Sequence, residues 1–336
     1  MKTYLKCAIS VSGGLGDMIS FIPIFTKFPG FLVLSDLYKE LFSLYDLDVI
    51  WWEEKKSEVE NFLKISFEIR KRKPNFVYGT YPNGRRINVL LTLSSGIKIF
   101  CDDQNYSFKR LTSIAKIFPK AYPIYIPFGK KESYVSINSK ILGVVPDYPF
   151  DLKEKEEYKE EAELFSKEKY IAIHPTSRYE SRQWDLEKFI GISKRILKKG
   201  FKVLFILGKG EEQTLKAIIN QLMSEIAVKK IHILYGEPLT KVISYVKRAH
   251  MFVGNDSAIA HIAGVSGIKT FVIYGYTRYY HTAPYGAEVI RLDLPCSPCY
   301  NFAKGELAVP KECKYNIACL RNITEDMVWG KISNFI

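Results

Sequence analysis

Four short stretches of this 336-residue chain carry groups that could handle a charged, oxygen-rich ligand. In VGNDSAIAHIAGVSGIKTFVIYG (253–275) a polar turn, Asn255-Asp256-Ser257, precedes a helix of small residues, Ala258–Val265. A helix start gathers unsatisfied backbone N–H groups and partial positive charge, which suits a phosphate or a sugar hydroxyl. His261 lies one turn beyond Ser257 on the same helix face. Ala258, Ala260, Ala263 and Gly264 keep that helix thin, so a ligand or a sheet can approach closely. The plainer reading is an Asp/Ser cap on an ordinary βαβ helix, with His261 a buried histidine. In the second stretch, His174-Pro175-Thr176-Ser177-Arg178 leads to Arg182-Gln183-Trp184, grouping hydroxyls and guanidinium groups that suit a diphosphate. The third, Gly208-Lys209-Gly210-Glu211, is a glycine turn before a helix. The fourth is Ser12-Gly13-Gly14-Leu15-Gly16-Asp17. Its Gly14-x-Gly16, with Asp36 after the next strand, partly matches a dinucleotide fingerprint, but Ile19 occupies the third small position.

The cysteines divide into two kinds. Cys7 and Cys101 stand alone and read as small buried hydrophobes. Cys296, Cys299, Cys313 and Cys319 form a Cys-x2-Cys-x13-Cys-x5-Cys group stiffened by Pro295 and Pro298. In a reducing compartment that group reads as a tetrahedral thiolate site for zinc or iron, structural in role because four thiolates leave no open position. Unmetallated thiols are the alternative.

These loops need a scaffold, and the chain pattern is α/β throughout. Strands are expected at Cys7–Val11, Phe31–Leu34, Val49–Trp52, Tyr170–His174, Phe201–Leu207, Ile231–Leu234, Met251–Gly254 and Lys269–Tyr274. Helices are expected at Asp17–Phe28, Asp36–Tyr45, Ser57–Arg70, Asp185–Lys199, Glu211–Ser224 and Pro238–Ala249. From Phe100 to Tyr134 the signals blur. Leu152–Lys169 is mostly charge and reads as an exposed helix or linker that holds the domain boundary. Alternating strands and helices imply parallel sheets covered on both faces. Two such halves imply two doubly wound domains, with ligand at the carboxyl ends of the strands.

With 47% hydrophobic residues, the chain can bury a large core. It has no run of 18 apolar residues, and the N-terminus reads as a strand rather than a signal peptide, so a cytoplasmic protein is expected. The net charge of +13 is spread out, with no basic tail to serve as a nucleic-acid arm. The densest basic cluster, Arg70-Lys71-Arg72-Lys73, reads as a solvated helix end or as a patch for an acidic acceptor or an anionic membrane.

Taken in order, the loops resemble glycosyltransferase family 9, the bacterial heptosyltransferases. The likeness runs through GGLGD (13–17), IAIHPTSRYESRQWDLEKF, FILGKGEE, VGNDSAIAHIAGVSG and YGYTRYYHTAPYG, and CSPC with a later CL is also a family feature. The resemblance implies a GT-B fold: two Rossmann-like domains with a ligand cleft between them. Residues 1–155 would bind the acceptor; residues 156–336 would bind the nucleotide sugar and carry the cysteine finger at 296–319. It also implies inverting transfer without a catalytic metal, with ADP-heptose as donor and a lipopolysaccharide core or another glycan or protein as acceptor. Work at the cytoplasmic face of the inner membrane, peripheral contact with it and no nucleic-acid partner complete that expectation.

The same resemblance makes Asp17 the general base. Thr176, Ser177 and Arg182 would hold the diphosphate, and Asp256, Ser257 and His261 would bind sugar and phosphate. Gly14, Gly16, Gly208, Lys209 and Thr240 complete the donor-binding set. The sequence departs from the family pattern at three positions. Arg182 replaces the usual Lys, Ala258 replaces the Gly of Asp-(Ser/Thr)-Gly, and Thr240 stands where some members place a ribose-binding Glu. Other classes stay open: an NAD-dependent oxidoreductase using Gly14, Gly16 and Asp36, a nucleotide-sugar epimerase of similar architecture, and a non-enzymatic zinc-containing nucleic-acid binder.

Overall fold

A computed structural model describes residues 7–10, 14–80, 97–103, 121–126, 131–299 and 313–336. The described residues through Asp147 form one compact unit, and those from Tyr148 onward form a second.

The first unit is built on a six-stranded sheet: β1 (Cys7–Ser10), β2 (Gly30–Ser35), β3 (Asp48–Trp52), β4 (Phe76–Gly79), β5 (Ile97–Asp103) and β6 (Ala121–Ile126), in the order β3-β2-β1-β4-β5-β6. Every neighbouring pair is parallel. The second unit repeats this plan with β7 (Tyr170–His174), β8 (Lys202–Leu207), β9 (Ile231–Tyr235), β10 (Met251–Asn255), β11 (Lys269–Ile273) and β12 (Glu288–Ile290), in the order β12-β11-β10-β7-β8-β9. Its pairs are also all parallel. Numbered from its own first strand, each sheet has the doubly wound order 3-2-1-4-5-6. The direction of winding therefore reverses at β1/β4 and at β7/β10, where the strand-end loops splay apart and leave room for a ligand.

Burial on both faces explains why the second-unit strands read so clearly: all five residues of β7 and of β10 are buried. The helix Leu186–Lys198 turns Phe189, Ile190, Ile192 and Ile196 onto this sheet, beside Val203, Phe205 and Val253. It ends before Gly200, whose φ of +87° suits a residue without a Cβ. In the first unit the helix Leu15–Phe25 is buried from Met18 onward. The helix Glu58–Arg72 packs Ile65 and Ile69 against Phe31, Val33, Ile50 and Val77.

Three expectations need correction. The first helix starts at Leu15 rather than Asp17 and ends at Phe25, and the expected helix at 36–45 is a 3-10 turn, Asp36–Tyr38, followed by the single turn Lys39–Phe42. The blurred region holds the end of β5 and all of β6, and the helix Tyr134–Leu142 closes it, capped by the Ser133 hydroxyl. The charged stretch is not the boundary, which falls between Asp147 and Tyr148. Its helix, Glu156–Phe165, docks within the second unit. Glu161 accepts a hydrogen bond from Tyr245 Oη (2.8 Å) and pairs with Lys241 (3.1 Å). Arg248 is held by Glu154 (2.7 Å) and Glu163 (3.0 Å). Charges that looked solvated in the sequence are thus partnered to a neighbouring helix.

Candidate functional site

The candidate site in the second unit grows from the carboxyl ends of β7 and β10, at the reversal of strand order. β7 ends in His174, whose Nδ1 lies 2.7 Å from the Ile206 carbonyl. A carbonyl only accepts, so Nδ1 carries the proton and Nε2 is left to accept from Thr176 Oγ1 at 3.4 Å. Burial lowers the His174 pKa and keeps the ring neutral. The next residues are tied to β10. Ser177 Oγ donates to the Asp256 carbonyl (2.8 Å). Asn255 Nδ2 donates to the Pro175 carbonyl (2.7 Å), and Asn255 Oδ1 accepts from the Trp184 N–H (3.0 Å). Gln183 Nε2 holds the Ser177 carbonyl at 2.8 Å. Asn255 and Gln183 are the fasteners of the loop. Both were visible in the sequence as loop residues but had no assigned role, because their partners lie far along the chain or on the loop backbone.

Asp256 is the hub. Its Oδ1 accepts from Tyr274 Oη (3.2 Å), and its Oδ2 accepts from Thr277 Oγ1 (3.3 Å) and lies 3.5 Å from Arg182 Nη1. Burial raises the carboxyl pKa, while the Arg182 cation and the two hydroxyl donors pull it back down. The Arg182 guanidinium lies 5.0 Å from the Tyr179 ring centroid and 6.0 Å from that of Tyr276. Asp256 therefore acts first as an anchor for Arg182, Tyr274 and Thr277. Tyr274 and Thr277 were missed as individual residues. The available signal was their position in the loop after β11, next to β10 in the sheet.

Ser257 caps the helix Ala258–Val265, its Oγ accepting from the Ala260 N–H at 3.4 Å. His261 is buried, and burial lowers its pKa to about 4, so it is neutral at physiological pH. The thinness of this helix serves packing. A Cβ on Gly264 would lie 2.6 Å from the Tyr285 carbonyl oxygen and 2.8 Å from Pro284 Cβ.

The other expected residues fall as follows. Gly208 and exposed Lys209 lie in the loop after β8, where the Gly208 N–H donates to Glu211 Oε2 (2.8 Å) and Gly210 adopts φ +92°. Thr240 is fully buried in the first turn of the helix Leu239–Val246, and its carbonyl accepts from Ser244 Oγ. In the first unit Gly14 caps the opening helix and Gly16 lies in its first turn. Asp17 is the third helical residue, and its carboxylate accepts the Gly14 N–H at 2.9 Å. Gly13 and Ser12 lie outside the described residues. Asp36 sits after β2, where its Oδ1 accepts the Glu54 N–H at 3.2 Å.

Cys319 is buried, Cys313 half-buried, and Cys296 and Cys299 exposed. Burial pushes the Cys319 thiol up to about 11, and the charges of Cys299, Cys313 and Cys296 add to the shift. Cys313 Sγ accepts the Ile317 N–H at 3.3 Å. The donor set fits a thiolate-loving metal in type. Among the described residues, however, no three His, Cys, Asp or Glu side chains gather closely enough to hold an ion.

A family model described as glycosyltransferase family 9 (heptosyltransferase) matches residues 132–308, just over half of the chain and including the loops after β7, β8 and β10. Lipooligosaccharide heptosyltransferase 2 of Campylobacter jejuni is 26% identical over 155 residues, 45% of this chain and 48% of that protein. The matched region thus spans about half the length of the curated relative. Among solved structures, a glycosyl transferase family 9 protein from Veillonella parvula superposes with a TM-score of 0.73 at 18% identity, covering 100% of this chain and 98% of the other. The E. coli ADP-heptose lps heptosyltransferase II superposes with a TM-score of 0.69 at 15% identity, covering 98% of each. The fold is therefore GT-B.

Proposed function

This chain belongs to glycosyltransferase family 9, and we propose that it moves a sugar from a nucleoside-diphosphate donor to a glycan acceptor with inversion at the anomeric carbon. Heptose carried on ADP is the donor we favour, because the E. coli structural neighbour is named for ADP-heptose. A lipopolysaccharide core is the favoured acceptor, in keeping with the lipooligosaccharide relative. The observation that supports this most is the convergence on Asp256: its buried carboxylate lies beside Arg182, its carbonyl accepts from Ser177, and the helix Ala258–Val265 starts directly after it at the Ser257 cap.

The chemistry follows from charge. As the acceptor oxygen bonds to the anomeric carbon, the bond from that carbon to the donor phosphate breaks, and the electron pair leaves with the diphosphate. The leaving group gains negative charge, which a guanidinium and helix-end N–H groups stabilise in a partly dry site. Arg182 supplies the first, and the backbone after Ser257 supplies the second, so the step invokes no divalent ion. Neutral His261 can exchange a hydrogen bond without adding charge. The acceptor hydroxyl loses its proton to Asp17, a weak base that suffices once bond formation has acidified the alcohol.

The remaining parts of the proposal concern setting and scaffold. Cys296, Cys299, Cys313 and Cys319 would hold a structural zinc or iron outside the chemistry. The enzyme would work in the cytoplasm against the inner membrane, without nucleic acid as a partner. Among the described residues no helix is long and apolar enough to cross a bilayer.

A thermal-shift panel tests the central claim. ADP and ADP-sugars should raise the unfolding temperature, because a ligand that binds only the native state stabilises it by mass action. NAD should have no effect. A shift with NAD and none with any nucleoside diphosphate or nucleotide sugar would overturn the assignment.

A further inference from the structure

The helix Glu58–Arg72 has two apolar faces, and only one of them is used by the core. Ile65 and Ile69 are buried against β2, β3 and β4, with Phe62 packed beside them. On the opposite side Val59, Leu63 and Phe67 recur every four residues, which stacks them in one stripe. Their exposures are 66%, 63% and 67%. Single exposed apolar residues need no explanation, but an aligned row of three on a rigid helix does. The helix is well fixed. Ser57 and Glu60 cap its start reciprocally, at 3.2 and 2.9 Å, and Lys73 closes its end in a left-handed conformation.

The stripe runs toward a cationic end. Arg70 and Lys71, three and four residues past Phe67, are exposed, as is Lys73. None of the three has an ion-pair partner among the described residues, whereas Arg72 is spent on Asp48 and Glu68. An apolar row beside unpaired cations is complementary to a bilayer surface, where acyl chains accept the first and anionic headgroups the second. A second copy of the chain fits less well. Three side chains over about two helical turns present far less area than the ~800 Å² per partner of a stable interface.

We propose that the outer face of this helix seats the first unit on an anionic bilayer, with Val59, Leu63 and Phe67 entering the headgroup boundary and Arg70, Lys71 and Lys73 pairing with lipid phosphates. The proposal deepens, and rests on, the reading of this chain as an enzyme that meets a membrane-borne acceptor.

Flotation of the full chain with phosphatidylcholine vesicles, with and without phosphatidylglycerol, tests it. The protein should float with the anionic vesicles, be released by salt, and stay behind with the neutral ones. Leu63→Ser/Phe67→Ser and Arg70→Gln/Lys71→Gln should each lower the bound fraction about tenfold. Because all four positions are exposed, both variants should keep the unfolding midpoint, ADP binding and transfer to a water-soluble acceptor. The polar pair is the fallback if the apolar pair folds poorly. Failure of the parent protein to float, or variants that float equally well, would overturn the docking face. So would a dimer that Leu63→Ser/Phe67→Ser turns into a monomer without loss of vesicle binding. Loss of ADP binding in the parent protein with vesicle binding intact would instead remove the enzymatic reading and leave the surface standing.

Discussion

Arg182 Nη1 stands 3.5 Å from Asp256 Oδ2, joining residues 74 positions apart across the loops that follow β7 and β10. Both side chains are largely buried, at 21% and 11% exposure, so the pair is shielded from solvent more than a surface ion pair would be. The distance is long for a bidentate pair.

Arg182→Ala should therefore weaken ADP-sugar binding by about 2 kcal/mol, roughly 30-fold in Kd, and slow turnover. Arg182→Lys should recover only part of this, because an ammonium lacks the planar fork. Calorimetric titration of the variants checks it, and unchanged affinity and rate in Arg182→Ala would remove the residue from the donor site.

Asp17 both caps its helix and is the proposed base, and one substitution separates the two roles. Asn keeps an oxygen for the Gly14 N–H and caps nearly as well. Asp17→Asn should retain stability and donor binding while turnover falls by roughly 100-fold or more. Near-normal turnover at saturating donor and acceptor would leave the capping role alone.

His261 makes stability depend on pH. Its pKa falls from 6.5 to about 4 on folding, so between those values the unfolded chain binds more protons than the native one. Stability from this residue is complete above pH 6.5 and is lost as pH drops toward 4. The full effect is about 3 kcal/mol. His174 and His232 are lowered in the same direction and share the slope. Urea unfolding across this range should show a shallower acid loss for His261→Gln than for the parent. Equal slopes would mean that the ring is not buried as neutral imidazole.

Gly264 lets the Pro284–Tyr285 segment lie against the helix Ala258–Val265, with 2.6 Å available where a Cβ would meet the Tyr285 carbonyl oxygen. Gly264→Ala should cost about 1–3 kcal/mol through overpacking, despite the better helix propensity of alanine. A raised melting temperature in that variant would show that the segment yields.

The four cysteines should bring about one metal ion per chain, and Cys296→Ser should lose it together with stability. Cys319, pushed up to about 11, is a protonated thiol without metal, so loading should release protons and proceed more readily as pH rises. Elemental analysis of chelator-free preparations decides the matter: zinc and iron both absent would leave the group as free thiols.

Much of the second unit was determined by the sequence alone. Tyr170–His174 and Ala258–Val265 were legible to the residue, and Gly200 marked a true left-handed cap. Such elements carry local signals: continuous apolar runs, a hydroxyl at a helix start, a glycine where φ is positive. The loops after β7, β8 and β10 were legible too, because polar and glycine residues punctuate strand ends. The short strands β4, β5, β6 and β12 were not, since three to seven residues carry little periodicity and their pairing partners lie elsewhere in the chain. Nor did composition reveal that Glu154, Glu161 and Glu163 are partnered, so the unit boundary was misplaced. Only the tertiary structure decided which groups meet. It engaged Asp256 with Tyr274, Thr277 and Arg182, buried Thr240, and left one face of Glu58–Arg72 exposed. The physical reason is that turns and helix caps are short-range interactions, whereas burial and the pairing of charges are properties of residues that the sequence holds far apart.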